Sequence, residues 1–180
     1  LNHQQTAERI AAIAPRLAVF VIYGQQPSAS TQCMPAGRKV CEILTTLADI
    51  PTLVMGTHPS ALPKRTLLEE PYTYVCQGEG PSTILGLVIA LRAPQHSLRE
   101  VPGLWHMEKG VPVGNAPAQL LTNLDREVPG QAWELLDMTR YRAHNWHCFG
   151  NLEARAPYAS LQTRLGCPFT CSFCCINSPF

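Results

Sequence analysis

Residues 17–24 read LAVFVIYG, an unbroken apolar, β-branched and aromatic run closed by a glycine. A strand covered by helices on both faces of a parallel sheet reads this way, because no position along it has to alternate toward solvent. Upstream, Ala7, Ile10, Ala11, Ile13 and Ala14 recur at helical spacing until Pro15 removes a backbone donor, which predicts a short amphipathic helix over residues 4–14. Downstream comes a loop, GQQPSAST. Val40, Ile43, Leu44 and Leu47 then repeat at three and four, predicting a helix over residues 35–49 that covers one face of the sheet. A second strand at 52–55 ends in the loop GTHPSALP, a short helical segment LPKRTLLEE follows, and a third strand at 72–76 stops at GEGP. Residues 82–92, STILGLVIALR, open with a Ser or Thr able to cap exposed amides and continue as an apolar helix.

Strands alternating with helices predict an α/β domain over residues 1–93, a doubly wound, Rossmann-like parallel sheet with right-handed crossovers. Sheets of this kind bind ligands outside the carboxyl ends of their strands, where the loops 24–30, 56–63 and 78–81 lie. Residues 94–157 change character. GLWHMEKGVPVGN predicts a small hairpin turning at Glu108, Lys109 and Gly110, and the remainder is a connector rich in Pro, Asn and Gly, docked by the apolar segment of Trp133, Leu135, Leu136 and Met138. Residues 158–163 read as a strand that leads into GCPFTCSFCC, so 158–180 form a third segment.

Composition narrows the function. The 180 residues are 46% apolar and 15% charged, against roughly 25% charged in an average domain, so the chain folds around a core. A net charge of +1 with no dense basic run gives no reason to expect a nucleic acid or an anionic membrane as partner. Arg16, Gln25, Lys39, Asp49 and Arg92 interrupt every stretch that would approach a bilayer span. The N-terminus lacks the basic-then-apolar layout of a secretion signal and opens on Leu1, and the sequence stops at Phe180, so a segment of a longer cytoplasmic protein is expected. Of eight cysteines, Cys167, Cys171, Cys174 and Cys175 crowd together, too tightly for a disulfide framework, which favours metal ligation in a reducing compartment.

Cys167, Cys171 and Cys174 stand as C-x3-C-x2-C, a spacing that lets one loop fold three thiolates around a single inorganic centre. Three local thiolates fill three corners of a cubane iron–sulfur cluster and leave the fourth iron open, as a catalytic metal site differs from a closed structural one. Gly166 permits the sharp entry and Pro168 stiffens it. Cys175 adjoins Cys174, points elsewhere and is left out of the ligand set. A zinc knuckle would need a second half from His144, His147 or Cys148, and ordinary ferredoxin spacing differs. The run HNWHC at 144–148 reads mainly as connector packing, and Cys33, Cys41 and Cys76, beside apolar patterns, read as small buried hydrophobes.

TRLGCPFTCSFCCINSPF resembles the cluster loop of radical S-adenosylmethionine (SAM) enzymes, in which three cysteines so spaced hold a [4Fe-4S] cluster whose unique iron chelates SAM. Phe173, before the third cysteine, is similar to the aromatic residue that packs near the SAM adenine. More specifically, MGTHPSALP resembles the Gly-Gly-x-His-Pro loop of the cobalamin-binding subgroup, QGEGPST its Gly-Glu-Gly-Glu turn, and LDREVPGQAWELLDMTRY its linker before the cluster strand. Met55 and Pro81 replace the subgroup's usual Gly and Glu. The resemblance implies Cys167, Cys171 and Cys174 as cluster ligands, Phe173 at SAM, and Gly56, Thr57, His58, Gly78, Glu79 and Gly80 at cobalamin. It also implies that the chain holds part of a cobalamin domain, a connector and the first strand of a partial (β/α) barrel, starting after the strand and loop where some members carry a cobalt-ligating His. Such enzymes cleave SAM reductively to a 5′-deoxyadenosyl radical, and many cobalamin-containing members then methylate a substrate radical. The implied partners are a small-molecule or biosynthetic-intermediate substrate and an electron donor such as flavodoxin or ferredoxin. Two other readings stand beside this one. A methylthiotransferase would need Cys33, Cys41 and Cys76 for an auxiliary cluster, and a corrinoid carrier or sensor would use the cysteine loop only structurally.

Overall fold

A computed structural model describes residues 1–23, 27–93, 95–128, 130–142, 151, 156–159, 161, 166, 167, 169 and 171–174. Helix α1 (His3–Ile13) opens on a reciprocal cap: the Asn2 side chain accepts from the Gln5 amide at 2.9 Å and the Gln5 side chain from the Asn2 amide at 3.1 Å. Ala14 turns left-handed at φ 49°, and Pro15 prevents continuation. Strand β1 (Ala18–Val21), helix α2 (Pro27–Leu47), strand β2 (Thr52–Met55), the short helices α3 (Thr57–Ala61) and α4 (Pro63–Glu69), and strand β3 (Tyr74–Cys76) follow. Helix α5 (Pro81–Arg92) leads to the hairpin of β4 (Leu104–Glu108) and β5 (Val111–Gly114).

The strands form one sheet in the order β1-β2-β3-β4-β5. β1, β2 and β3 are parallel, with Val19 beside Leu53 and Val54 beside Val75, whereas β4 pairs antiparallel with β3 and β5 antiparallel with β4. The sheet is therefore mixed, and no reversal of strand order occurs among the described residues, so the doubly wound parallel arrangement read from the sequence is corrected. The physical cause is the return segment after α5. Leu98 and Val101 pack into the cluster beneath that helix, and the Gln77 amide donates to the Gly103 carbonyl at 2.8 Å. The chain is thus delivered back to the carboxyl end of β3, and the next strand can only run the other way. The hairpin forms where GLWHMEKGVPVGN predicts it, turning at Lys109 (φ 50°) and Gly110 (φ 80°), two consecutive left-handed residues suited to the strand twist. It extends the sheet beyond residue 93, where the pattern ended the first domain.

Alternation divides the core between two faces. Val54 and Val75 meet Met34 and Cys41 of α2 and Leu67 of α4, and Ala18 meets Ala7, Val40 and Leu44 of α1 and α2. On the opposite face Leu53, Met55, Tyr74, Cys76 and Leu104 pack on Leu87 of α5. Each such fully buried Leu or Val contributes about 1.5–3 kcal/mol relative to exposure. β1 departs from the both-faces-buried expectation: Val19 is 36% and Val21 62% exposed. It is the edge strand of the sheet, and α5, which follows β3, covers the residues of β2, β3 and β4 but not those of β1. An apolar groove of about 530 Å³ runs beside it, lined by Ile10 and Ile13 of α1, Val19 and Val21 of β1, and Ala36 and Val40 of α2.

Three further expectations are revised. The second helix begins at Pro27, not Pro35, because Ser30, Met34, Cys41 and Leu44 form one continuous buried stripe that carries the helix through the proline. Ser82 and Thr83 do not cap α5. Gly80 precedes it with no side-chain cap, and the buried Thr83 hydroxyl instead donates to the Pro102 carbonyl at 2.7 Å. Cys33 is exposed, on the side of α2 away from that stripe, whereas Cys41 and Cys76 are fully buried as expected.

The chain divides into two compact units, Leu1–Leu121 with Phe169–Phe180, and Thr122–Pro168. The second unit contains helix α6 (Leu124–Glu127), capped by the Asn123 side chain, and two single 3-10 turns, Trp133–Leu135 and Met138–Arg140. Within it the Tyr158 amide donates to the Tyr141 carbonyl at 2.8 Å. Of the barrel strand expected over 158–163, Tyr158, Ala159 and Leu161 are described and belong to no strand. The rest of that segment, the loop residues 24–26, the HNWHC run and Cys175 lie outside the described residues.

Candidate functional site

The parallel strands β1, β2 and β3 end on one edge of the sheet, and the residues that follow them are tied together by short side-chain hydroxyls. The Ile22 amide continues the ladder past β1, donating to the Met55 carbonyl at 2.8 Å. Gly56 follows at φ 144°, and a Cβ placed on it would lie 2.0 Å from the Ile22 carbonyl oxygen, so only glycine permits the two strand ends to approach this closely. Residues 57–61, read from the sequence as loop, coil into α3 immediately afterwards.

Ser30, on the first turns of α2 and fully buried, donates to the Ile22 carbonyl at 2.5 Å and accepts from the His58 amide at 3.1 Å. Thr31 Oγ1 and His58 Nδ1 lie 2.9 Å apart. Ser60, 1% exposed, accepts from the Gly78 amide at 3.1 Å, which binds the segment after β2 to the turn after β3. Glu79 reaches the other way. Its Oε2 accepts from the Leu121 amide at 2.9 Å, so one carboxylate oxygen secures the chain that leaves the hairpin. Tyr23 lies just past the end of β1 at the same edge, and burial raises its phenol above the ordinary value, with Cys76 and Glu79 raising it further. Burial likewise raises the Cys76 thiol, while a hydrogen bond with Thr83 opposes the shift.

Of the residues singled out from sequence, Gly56, Thr57, His58, Gly78, Glu79 and Gly80 therefore share one edge of one sheet. Met55, which stands where the resembled subgroup has Gly, is buried against Gly80: its Cε lies 2.3 Å from where a Cβ on that glycine would be. Gly78, at φ 104°, has nothing within 4 Å of that position, so the side of its backbone away from Ser60 is uncovered. Ser30, Thr31, Ser60 and Tyr23 were not identified from the sequence. SAST and HPS carry the hydroxyls, but small polar residues beside turns are too common for the pattern to select these.

In the cysteine loop Cys167 is half-buried and Cys171 and Cys174 are exposed. Gly166 is left-handed at φ 71°, and the Cys174 amide donates to the Cys171 carbonyl at 3.0 Å, so Cys171 and Cys174 flank one tight turn. Phe173, on that turn, is 91% exposed. Among the described residues no three His, Cys, Asp or Glu side chains are gathered as a metal site. The donor set nevertheless fits an iron–sulfur cluster in its chemistry, three thiols within eight positions of sequence. The sheet edge is compatible with a corrinoid through the uncovered side of Gly78 and the anchored His58.

The sequence matches no protein-family model. It is 31% identical over 155 residues to an uncharacterized methyltransferase, PH0819, of Pyrococcus horikoshii, an alignment that takes in 85% of this chain. The chain spans 31% of that relative's length. The fold is similar to that of the radical SAM methyltransferase TsrM from Kitasatospora setae, solved with cobalamin and a [4Fe-4S] cluster bound, at a TM-score of 0.54 and 18% identity over 67% of this chain and 22% of that one. A second TsrM structure, with tryptophan substrate and the SAM analogue aza-SAM, gives the same TM-score of 0.54 and 18% identity over 64% of this chain and 22% of its own. The cobalamin-dependent SAM radical enzyme OxsB, solved in apo form, gives 0.52 and 18% over 70% and 17%. The structural neighbours are thus cobalamin-dependent radical SAM enzymes, and the α/β sheet is their fold. No helix among the described residues is long and apolar enough to cross a membrane.

Proposed function

We propose that this chain is the corrinoid-binding part and the start of the radical SAM part of a cobalamin-dependent methyltransferase. The observation that carries the reading is the co-occurrence, in one chain, of the Cys167-x3-Cys171-x2-Cys174 triad and a sheet folded like those of the cobalamin-dependent neighbours. When bound, the cluster supplies the electron for reductive cleavage of SAM and the corrinoid carries the methyl group. Cys167, Cys171 and Cys174 hold the cluster, Phe173 offers an aromatic face to the adenine, and the edge of Gly56, Thr57, His58, Gly78, Glu79 and Gly80 seats the corrinoid. The substrate is a small molecule or biosynthetic intermediate, and the electron comes from a flavodoxin- or ferredoxin-like donor in the cytoplasm.

Anaerobic reconstitution with iron and sulfide tests the cysteine assignment. The expected result is about four iron atoms per chain and a paramagnetic signal that changes on adding SAM. C167A, C171A or C174A should each abolish the cluster absorption and C175A leave it intact; equal damage from C175A would falsify the ligand set. An unchanged signal with SAM favours the corrinoid carrier. About eight iron atoms would indicate a methylthiotransferase, against which the buried cysteines speak: Cys41 and Cys76 lie in core clusters on opposite faces of the sheet, and Cys33 is exposed.

A further inference from the structure

Beyond β5 the chain leaves the line of the strands. The Asn115 amide donates to the Leu104 carbonyl at 2.9 Å and the Gly103 amide to the Ala116 carbonyl at 2.7 Å, so residues 115 and 116 still run beside the start of β4. The Asn115 side chain fixes this corner, donating to the Leu98 carbonyl at 2.6 Å and the Val101 carbonyl at 2.8 Å. Gly103 also holds the turn after β3, its carbonyl accepting from the Gln77 amide at 2.8 Å. On that same turn Glu79 Oε2 receives the Leu121 amide at 2.9 Å.

Residues 117–121 therefore pass from β5 to β3. Two strand spacings, about 10 Å, separate these strands, and five residues reach about 17 Å at most. The chain crosses the end of the sheet as a strap and touches down midway, where the Ala118 Cβ lies 3.4 Å from the place a Cβ on Gly103 would take. Its far end meets Glu79 next to Gly78, the residue left uncovered on the side away from Ser60. The strap is apolar but for Gln119, and Leu120, beside the anchored Leu121, is 62% exposed. A single exposed leucine is ordinary on a protein surface. This one is fixed at the rim of the candidate edge.

We propose that residues 117–121 form one wall of the corrinoid site, with Leu120 as its apolar contact to the macrocycle, and that Glu79 is a positioning residue that holds the wall through the Leu121 amide. The proposal rests on reading the sheet edge as a corrinoid site. It adds to that edge a segment from beyond the hairpin. Glu79 serves as an acceptor here and not as a charge, so a glutamine carbonyl oxygen can replace its carboxylate.

The test uses the whole chain. Amide hydrogen exchange, followed residue by residue by NMR, should show Leu121 protected in the wild type and in E79Q and exchanging freely in E79A. Hydroxocobalamin affinity, followed by absorbance, should be retained in E79Q and fall about tenfold in E79A and in L120A. Ile13, of similar exposure at 69%, lines the groove beside β1, and I13A should leave the affinity unchanged. Leu120 is exposed, so L120A keeps the wall testable even where E79A fails to fold. An unprotected Leu121 amide in the wild type, an equal loss of affinity in E79Q and E79A, full affinity in E79A or L120A, or an equal loss in I13A overturns the proposal. Failure of hydroxocobalamin to bind the wild type overturns the corrinoid reading and the wall with it, while the Leu121 amide still reports whether Glu79 holds the strap, which tells the two failures apart.

Discussion

At the scale of single residues, the candidate edge is shaped less by the side chains that would touch a ligand than by those that bring three chain segments together. Ser30 and Ser60 each use one hydroxyl to join two segments, and Gly56 makes their approach possible. Replacing Gly56 with alanine adds a Cβ against the Ile22 carbonyl and demands a left-handed conformation alanine resists, so G56A should lower stability by about 3 kcal/mol. Urea unfolding of G56A beside a control at Gly110, where nothing lies within 4 Å of the added Cβ, measures it. The Gly110 control carries only the conformational penalty, about 1 kcal/mol. A glycine in a Gly-Thr-His sequence says only that a turn is near; that its neighbour is the carbonyl of Ile22, thirty-four residues earlier, is a property of strand packing.

Among the elements, α5 shows how far apolar content can mislead. STILGLVIALR is apolar nearly all round, yet the helix buries Thr83 and Leu87 fully while Leu85 is 63% and Ile89 42% exposed. The two leucines should therefore respond differently. L87A should cost about 2–5 kcal/mol through a cavity against Leu53 and Leu104, and L85A less than about 0.5 kcal/mol. Thermal unfolding of both variants decides it, and equal effects would mean that α5 is rotated from the orientation described. The second helix shows the reverse problem. Pro35 reads as a start because proline suits a first turn, whereas the packing of Ser30 and Met34 on the sheet carries the helix two turns further upstream.

The whole molecule has a pH window set by groups its core keeps uncharged. Burial raises Cys41 and Cys76 above their ordinary 9.0 and Tyr23, Tyr72 and Tyr74 above 10.0, Tyr72 furthest, with Cys41 and Glu70 adding to it. Above pH 9 the unfolded chain releases protons that the folded chain retains, so their contribution is fully present below that value and stability falls as pH rises through it. His106 acts at the other end. Burial lowers it from 6.5, so below that pH the unfolded chain takes up a proton the folded chain refuses. The urea midpoint should be highest between these limits. The Tyr72 hydroxyl is buried without a hydrogen-bond partner, so Y72F should be neutral or stabilising by up to about 1 kcal/mol at pH 7 and should flatten the alkaline limb. An unchanged alkaline slope in Y72F would show that the phenol is not kept neutral by folding.

Much was legible in the sequence for a local reason. Apolar runs, prolines and Gly110 act over a few residues, and they predicted α1, the parallel strands and the hairpin. Tertiary structure alone decided what depends on partners distant in the chain. β1, apolar throughout, became an exposed edge because no described element covers Val21; the hairpin became part of the sheet because Cys76 pairs with Leu104; and Thr31 met His58 across twenty-seven residues. Periodicity fixes which side of an element is apolar, but which groups meet across the fold is settled by strand order and by close approaches that no local pattern encodes.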